Sequence, residues 1–406
     1  MASLDQSAVC MVVYNKYPAD PRVRRAAESL TVAGYKVHVI CTSESGAPPE
    51  DEFNGVTIHR VPVLKDSGAK ISNLIAVAAF MFRTTGKVLS VHRRFRPAFY
   101  HVHSLPDFLV ATVLIPRMLG AKLVLDLHES FPEIVQARFK AGADLLAQIA
   151  GWMERVSCML SNRVIVVNDT IAGLVIKRGE RPDKVTVIMN SPEIRNIPIP
   201  QDQLHPQVEA ARRLGSPLFV YAGGINEDRD IKTLIDAISL LQKESIELHA
   251  LLYTHTETPY LKEIQAYIRK LSLEEIVQFC GYLQPESVLA NLRASSLGIV
   301  TYVLSPLTEI ALPNKVFEYI AVNCPIVVAD LPTLKTLLDD AAYYYTPGNP
   351  SSLSEAIKAA LYGDEKIAKI KKAKTAYEKC AWDVMNMRLL DVYDKLKNSK
   401  PSPAQE

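Results

Sequence analysis

The chain has 406 residues, 48% of them hydrophobic and 22% charged, with a formal net charge of +2. That length exceeds one ordinary core and predicts two domains of about 200 residues each. The balanced charge gives nucleic acid no electrostatic footprint. The six scattered cysteines (Cys10, Cys41, Cys158, Cys280, Cys324, Cys380), with no CxxC or Cys/His pairing, speak against a zinc or redox framework and for buried reduced thiols.

The opening MASLDQSAVCMVVYNKYP lacks the basic and long apolar regions of a secretory signal, and no apolar run reaches membrane-span length. The expected location is the cytoplasm, or a membrane surface facing it. Short runs rich in Val, Ile and Tyr then alternate with amphipathic stretches, the βαβ pattern of a parallel sheet. The predicted strands of the first half are 8–14, 36–42, 57–63, 98–103, 122–128, 163–167 and 184–189. A helix from about Pro21 to Ala33 lies between the first two, with Asp20 as N-cap, Pro21 in the first turn and Gly34 as the stop. The Pro-rich, aperiodic SPEIRNIPIPQDQLHPQ (191–207) reads as a linker. Strands resume at 218–224, 247–253, 276–282, 296–302, 325–330 and 342–346, separated by helices such as 230–244 and 263–272. A helix-rich stretch at 364–398 and a disordered tail SKPSPAQE close the chain. The expected organisation is a first domain over 1–195, a linker over 196–214, a second domain over 215–382, and a last helix, 383–398, packed back on the first domain. Both domains are α/β and Rossmann-like, so ligands are sought beyond the carboxyl ends of the strands.

Two loops of the second half carry diphosphate chemistry. In YAGGINEDRDIKTLIDAI (221–238), Gly223 and Gly224 end a strand, and Arg229 precedes a helix. A cation beside free amides at a helix N-terminus suits a diphosphate; the alternative is a βα turn with a solvated arginine. In LPNKVFEYIAVNCPIVVAD (312–330), Pro313 and Asn314 begin a helix, Lys315 sits in its first turn, and Glu318 follows on a neighbouring position of the same face. There Glu318 can accept both ribose hydroxyls while Lys315 faces phosphates. The alternative is a surface i, i+3 ion pair.

These segments, with DPRVRRAAESLTVAGYKVHVICT (20–42), HVHSLPDF (101–108), LVLDLHES (123–130) and KVTVIMNSPE (184–193), stand in an order and spacing that resembles the family-4 retaining glycosyltransferases over nearly the whole chain. The resemblance implies a GT-B fold, two Rossmann-like domains facing across a cleft. It implies transfer of a hexose-type sugar from a nucleotide diphosphate sugar to a hydroxyl of a glycan or lipid-linked glycan, as in polysaccharide biosynthesis. Gly223, Gly224, Arg229, Asn314, Lys315 and Glu318 then bind the donor. Two positions depart from the pattern: Gly224 stands where a first arginine is usual, and Ile310 where the first glutamate of the E-x7-E motif is usual, with Glu309 one residue out of phase.

On the acceptor side the resemblance puts His128 close to the reacting sugar, whereas an isolated histidine of this kind is more often a core residue bonded to a carbonyl. His103 and Glu129 join it, and Asp107 is expected to cap the next helix. Arg22 and Arg25 either assist the diphosphate or face solvent. Catalysis is expected from His128, Arg229, Lys315 and Glu318. Neither a metal nor another cofactor is expected, the basic clamp replacing a divalent ion. The rivals are a nicotinamide oxidoreductase, which lacks its GxGxxG here, a sugar-nucleotide epimerase of the same fold, and a non-catalytic partner subunit. Finally, 69–97 combines Ile71, Leu74, Ile75, Val77, Phe80 and Phe82 with Arg83, Lys87, Arg93, Arg94 and Arg96, which fits either a core helix running into a basic loop or a helix lying on an anionic membrane.

Overall fold

The computed structural model describes residues 7–44, 46–63, 70–138, 142–192, 204–254 and 257–398. These form two compact units, the first running to Asn190 and resuming at Asp383, the second spanning Ser191–Trp382.

The sheet of the first unit contains β1 (Ala8–Val13), β2 (Lys36–Thr42), β3 (Glu50–Phe53), β4 (Val56–Val61), β5 (Phe99–His103), β6 (Lys122–Leu127), β7 (Arg163–Val166) and β8 (Val185–Val187), in the order β3-β4-β2-β1-β5-β6-β7-β8. Every pairing is parallel except β3 with β4. All six residues of β1 are buried, as a central strand covered on both faces requires. The seven expected strands are present, and β3 is additional. Its sequence, EDEF, has no apolar alternation; the strand exists because Asn54 (φ 49°) and Gly55 (φ 78°) make the tight hairpin that folds it onto β4.

The helix Pro21–Val32 begins as its sequence demands. Asp20 accepts hydrogen bonds from the amides of Arg22 and Val23, and Gly34 closes it at φ 91°. The helix Lys70–Phe95 buries Ala76, Phe80, Thr84, Val88 and Val91, one face at helical spacing, and exposes Ile75 and Phe82; the side chains of Ile71 and Leu74 lie outside the described residues. The stretch 364–398 is two helices. Lys366–Glu378 belongs to the second unit. Trp382–Asn398 belongs almost wholly to the first, where Tyr393 packs against Tyr35 and Phe99 at centroid distances of 5.4 and 5.3 Å.

In the second unit β9 (Leu218–Ala222), β10 (His249–Tyr253) and β11 (Val277–Phe279) form one parallel sheet, and β12 (Gly298–Val300), β13 (Ile326–Ala329) and β14 (Tyr343–Tyr345) another. Two serines join them. Val220 N donates to Ser295 Oγ at 2.9 Å, Leu218 N to Ser296 Oγ at 3.1 Å, and Ser296 N returns a bond to Leu218 O at 2.7 Å. The result is one array, β11-β10-β9-β12-β13-β14, with its switch point between β9 and β12. A helix, Pro206–Arg213, stands inside the stretch read as linker; Pro206 occupies its first turn, where a missing N–H costs nothing. Residues 193–203 of that stretch lie outside those described.

One buried pair in the first unit ties stability to pH. His38 on β2 and His59 on β4 stack, with His38 Nδ1 3.3 Å from His59 Nε2, and Phe95 covers His38 at 4.2 Å. Burial, then the neighbouring His59 and Arg94, push His38 down to about 4; Lys36 acts the same way and Glu50 against. His59 is also lowered, by burial first, although Glu50 pulls it back. Between the ordinary histidine range and pH 4, the unfolded chain therefore binds protons that the folded chain declines, so stability falls as pH drops through that window. For His38 alone the loss is about 3 kcal/mol. Chemical denaturation at pH 7 and pH 4.5 should show His38→Gln losing less stability over this interval than the parent; equal losses would place the acid sensitivity elsewhere.

Candidate active site

The carboxyl end of β9 turns through Gly223 (φ 153°), and a Cβ at this glycine would lie 2.5 Å from Lys315 Nζ. The backbone angle there suits glycine, and a Cβ would require the flexible end of Lys315 to move. Lys315, in the first turn of the helix Asn314–Ala321, donates to Ala222 O and rests over the Tyr221 ring, 4.4 Å from its centroid. Tyr221 is itself held by a 2.7 Å bond to Gly224 O. Arg229 ends a single 3₁₀ turn, Glu227–Arg229. Its guanidinium lies 4.7 Å over Tyr302, just past β12, and donates to the Tyr302 hydroxyl, while its carbonyl accepts from Thr301 Oγ1. The two cations thus come from loops on both sides of the switch point, each seated on an aromatic ring.

Glu318 stands one turn after Lys315. It is not half of a surface ion pair, because Lys315 turns to Ala222 O and both groups are largely shielded from water. Burial raises the Glu318 carboxyl, against the pull of Lys315. Burial lowers the Lys315 ammonium, Glu318 opposing and Arg229 assisting. Two atoms at this site are buried without a hydrogen-bond partner among the described residues, Glu318 Oε2 and Arg229 Nε. One accepts and the other donates, and each carries a desolvation cost until something bonds to it. Asn314 and Gly224 are exposed. Ile310 is buried at the end of the short helix Pro306–Glu309, and Glu309 is partly exposed, its carbonyl accepting from Thr333 Oγ1 at 2.8 Å.

In the first unit, the β5–β6 register sets His103 beside Asp126, and the period of two puts His101 on the same face of the sheet. One carboxylate oxygen, Asp126 Oδ2, lies 3.3 Å from His103 Nδ1, 3.6 Å from His101 Nε2 and 3.7 Å from His128 Nε2. Candidate ligand atoms of His101, His103 and Asp126 lie within 4.8 Å of one another, and the cation seated on this carboxylate is the Arg22 guanidinium. Burial alone would raise Asp126, but Arg22, His128 and the hydrogen bonds from His101 and His103 hold it well below the carboxylate range. His101 and His103 are wholly buried, and burial lowers both. His101 Nδ1 meets the Tyr393 hydroxyl at 3.0 Å. His128, just past β6, is 18% exposed, its Nε2 3.1 Å from His103 Nδ1. It is thus neither a solvated side chain nor a core histidine bonded to a carbonyl.

Three expectations are corrected. Arg22 neither faces solvent nor is free for a diphosphate, since Asp126 and Ile188 O take its donors. Arg25 donates to Asn190 Oδ1. Asp107 caps nothing: it is the first residue of the 3₁₀ helix Asp107–Val113, and its fully buried carboxylate has no hydrogen-bond partner of normal geometry among the described residues. Burial and then Glu154 push it up to about 8, against Ser104 and Arg178. Glu129 is exposed. The residues not singled out from sequence are Tyr221, Tyr302 and Asp126 as parts of these clusters; His101 flanks the same strand end as His103 and joins it here. The signal for Asp126 was present, because D-x-H on a strand places both side chains on one face.

The comparisons follow this division. Residues 19–191 match the glycosyl transferase 4-like domain, and residues 216–362 match the glycosyl transferases group 1. No curated protein matches the chain in sequence. Among solved structures it is similar to sucrose-phosphate synthase from Thermosynechococcus elongatus (14% identity, TM-score 0.75, covering 97% of this chain and 100% of the other). A UDP-forming α,α-trehalose-phosphate synthase from Burkholderia xenovorans gives 14% identity, TM-score 0.73 and coverage of 97% and 100%. HepE of Anabaena, solved in complex with UDP-glucose, gives 15%, 0.68, 96% and 99%. With its two halves matched in order by two glycosyltransferase families and its fold shared with these enzymes, the chain is a GT-B glycosyltransferase similar to family 4.

Proposed function

We propose that the chain moves a hexose-type sugar, with retention, from a nucleotide diphosphate sugar to a hydroxyl of a glycan or lipid-linked glycan, in polysaccharide biosynthesis in the cytoplasm. The observation that carries the donor reading is the buried, unbonded pair Glu318 Oε2 and Arg229 Nε beside Lys315 at the switch point of the second unit. HepE was solved with UDP-glucose and with UDP and glucose, which supports a nucleotide sugar as the ligand. Glu318 accepts the ribose hydroxyls. Arg229 and Lys315 stabilise the negative charge that builds on the departing diphosphate as the glycosidic bond loosens, so the reaction proceeds without a divalent metal. His128 meets the acceptor side in the first unit, with His103 behind it and Asp107 and Glu129 nearby in sequence. Nucleotide release that depends on an added acceptor separates this reaction from an epimerase.

Replacing Glu318 by Gln keeps the shape and removes the charge. Hydrogen bonds to a charged group contribute about 1.5–3 kcal/mol each, so donor affinity should fall at least tenfold by calorimetry. Arg229→Ala should act mainly on turnover, because its cation matters most once charge has built up, and Lys315→Ala should follow Arg229→Ala. Gly223→Ala forces Lys315 off its seat and should resemble Lys315→Ala. Binding and turnover within twofold of the parent in both Glu318→Gln and Arg229→Ala would move the donor site elsewhere.

Peripheral membrane association belongs to the same proposal. No described helix is long and apolar enough to cross a membrane. The face of the helix Lys70–Phe95 turned away from the core carries Ile75 and Phe82, with Arg83, Arg93 and Arg94 also exposed, a combination that suits an anionic surface. The protein should sediment with anionic vesicles and be released by salt; equal recovery in the supernatant with and without vesicles would leave this helix a purely structural one.

A further inference from the structure

The reading of His128 as a group on the acceptor side leaves open what it offers a substrate, a proton or a lone pair. The surroundings of His103 decide this. Its Nδ1 lies 3.3 Å from Asp126 Oδ2, and the Arg22 guanidinium keeps that carboxylate charged. An oxygen with only lone pairs can face Nδ1 favourably only if Nδ1 carries the proton. The opposite tautomer would set a nitrogen lone pair against the carboxylate at that distance. His103, lowered by burial and by His101, is neutral and has one proton to place.

That proton then dictates the state of its neighbour. His128 Nε2 is 3.1 Å from His103 Nδ1, close enough that two N–H groups facing each other would repel. Nε2 of His128 then presents its lone pair to His103 Nδ1–H, although Asp126 Oδ2 also lies 3.7 Å from it, and the proton of a singly protonated ring sits on Nδ1. Nδ1 of His128 is not among the buried unbonded atoms, and the side chain is 18% exposed, so this end of the ring is the one a substrate can reach. We propose that His103, oriented by Asp126, fixes His128 as its Nδ1–H tautomer, so that His128 serves the bound substrate as a hydrogen-bond donor and not as a base. His103 and Asp126 are positioning residues in this scheme, and Arg22 holds the carboxylate that orients them.

The inference rests on His128 touching substrate, and the test keeps the two ideas apart. Long-range proton–nitrogen correlation spectra of the histidine-labelled full chain report each imidazole tautomer without any substrate. His128 should appear as the Nδ1–H form in the parent. It should shift toward Nε2–H, the form free histidine prefers in water, in His103→Ala, and return to Nδ1–H in His103→Asn, whose amide N–H takes the place of Nδ1–H. An Nε2–H signal for His128 in the parent, or a tautomer unmoved by His103→Ala, overturns the proposal. Kinetics supply the second readout. His103→Ala should lower kcat at least tenfold, with the KM for the donor within about threefold, and His103→Asn should recover most of the loss. The double variant His103→Ala/His128→Ala should be no slower than His128→Ala alone; a further tenfold drop would mean that His103 acts otherwise than through His128. Should His128→Ala leave turnover unchanged, the acceptor-side role falls, and the spectra alone decide the tautomer.

Discussion

The first unit is organised around one buried charge pair, Arg22 on Asp126. Neither ion could be buried alone, and removing one partner of such a pair typically costs about 3–5 kcal/mol. The guanidinium comes from the first helix and the carboxylate from a central strand, so the contact fixes the helix against the sheet. It also keeps the carboxylate ionised at a depth where a lone aspartate would take up a proton. Three imidazoles then gather at 3.3–3.7 Å around one oxygen of that carboxylate. Through Tyr393 on His101, the last helix of the chain is bonded into the same group.

The second unit handles charge differently. Its cations are not cancelled by a buried carboxylate partner. Lys315 and Arg229 lie on the faces of Tyr221 and Tyr302 and give single hydrogen bonds to Ala222 O and the Tyr302 hydroxyl. Ring faces and neutral oxygens hold a cation less firmly than a carboxylate does, so the positive field stays available to an incoming anion. The Glu318 carboxylate beside them keeps one oxygen without a hydrogen-bond partner among the described residues. One unit thus commits its charge to internal order, and the other leaves its cations open to an incoming anion, as the proposed donor role requires.

Much of this was legible in the sequence, for reasons specific to each element. The parallel strands carry unbroken apolar runs because both faces are covered, and Asp20-Pro21 announces a helix start by its bonding alone. Gly223, Arg229, Lys315 and Glu318 could be found because their spacing around a strand end and a helix start is local. What escaped notice depends on register between distant strands. Nothing near Asp126 in sequence says that His103 and Arg22 will meet it; the β5–β6 register and the packing of the first helix do that. The strand β3 escaped because a two-residue turn, not its own acidic side chains, creates it. Asp107 departs from expectation because a carboxylate before an apolar run ordinarily caps a helix, and only the packing around it shows that it is buried.

The departure at Ile310 follows the same physical logic. A glutamate at that position would bring a second carboxylate to a buried stretch, because Ile310 is 6% exposed where the short helix Pro306–Glu309 ends. With isoleucine there, the segment contributes packing, and Glu318 is left as the carboxylate facing Lys315 and Arg229 through the local field. One carboxylate fewer in this stretch leaves the field at Lys315 more positive than a glutamate at position 310 would make it. On the proposed donor reading, such a field favours the phosphate-bearing end of a nucleotide sugar, and recognition of the sugar falls to neutral hydrogen-bonding groups, whose geometry matters more than their charge.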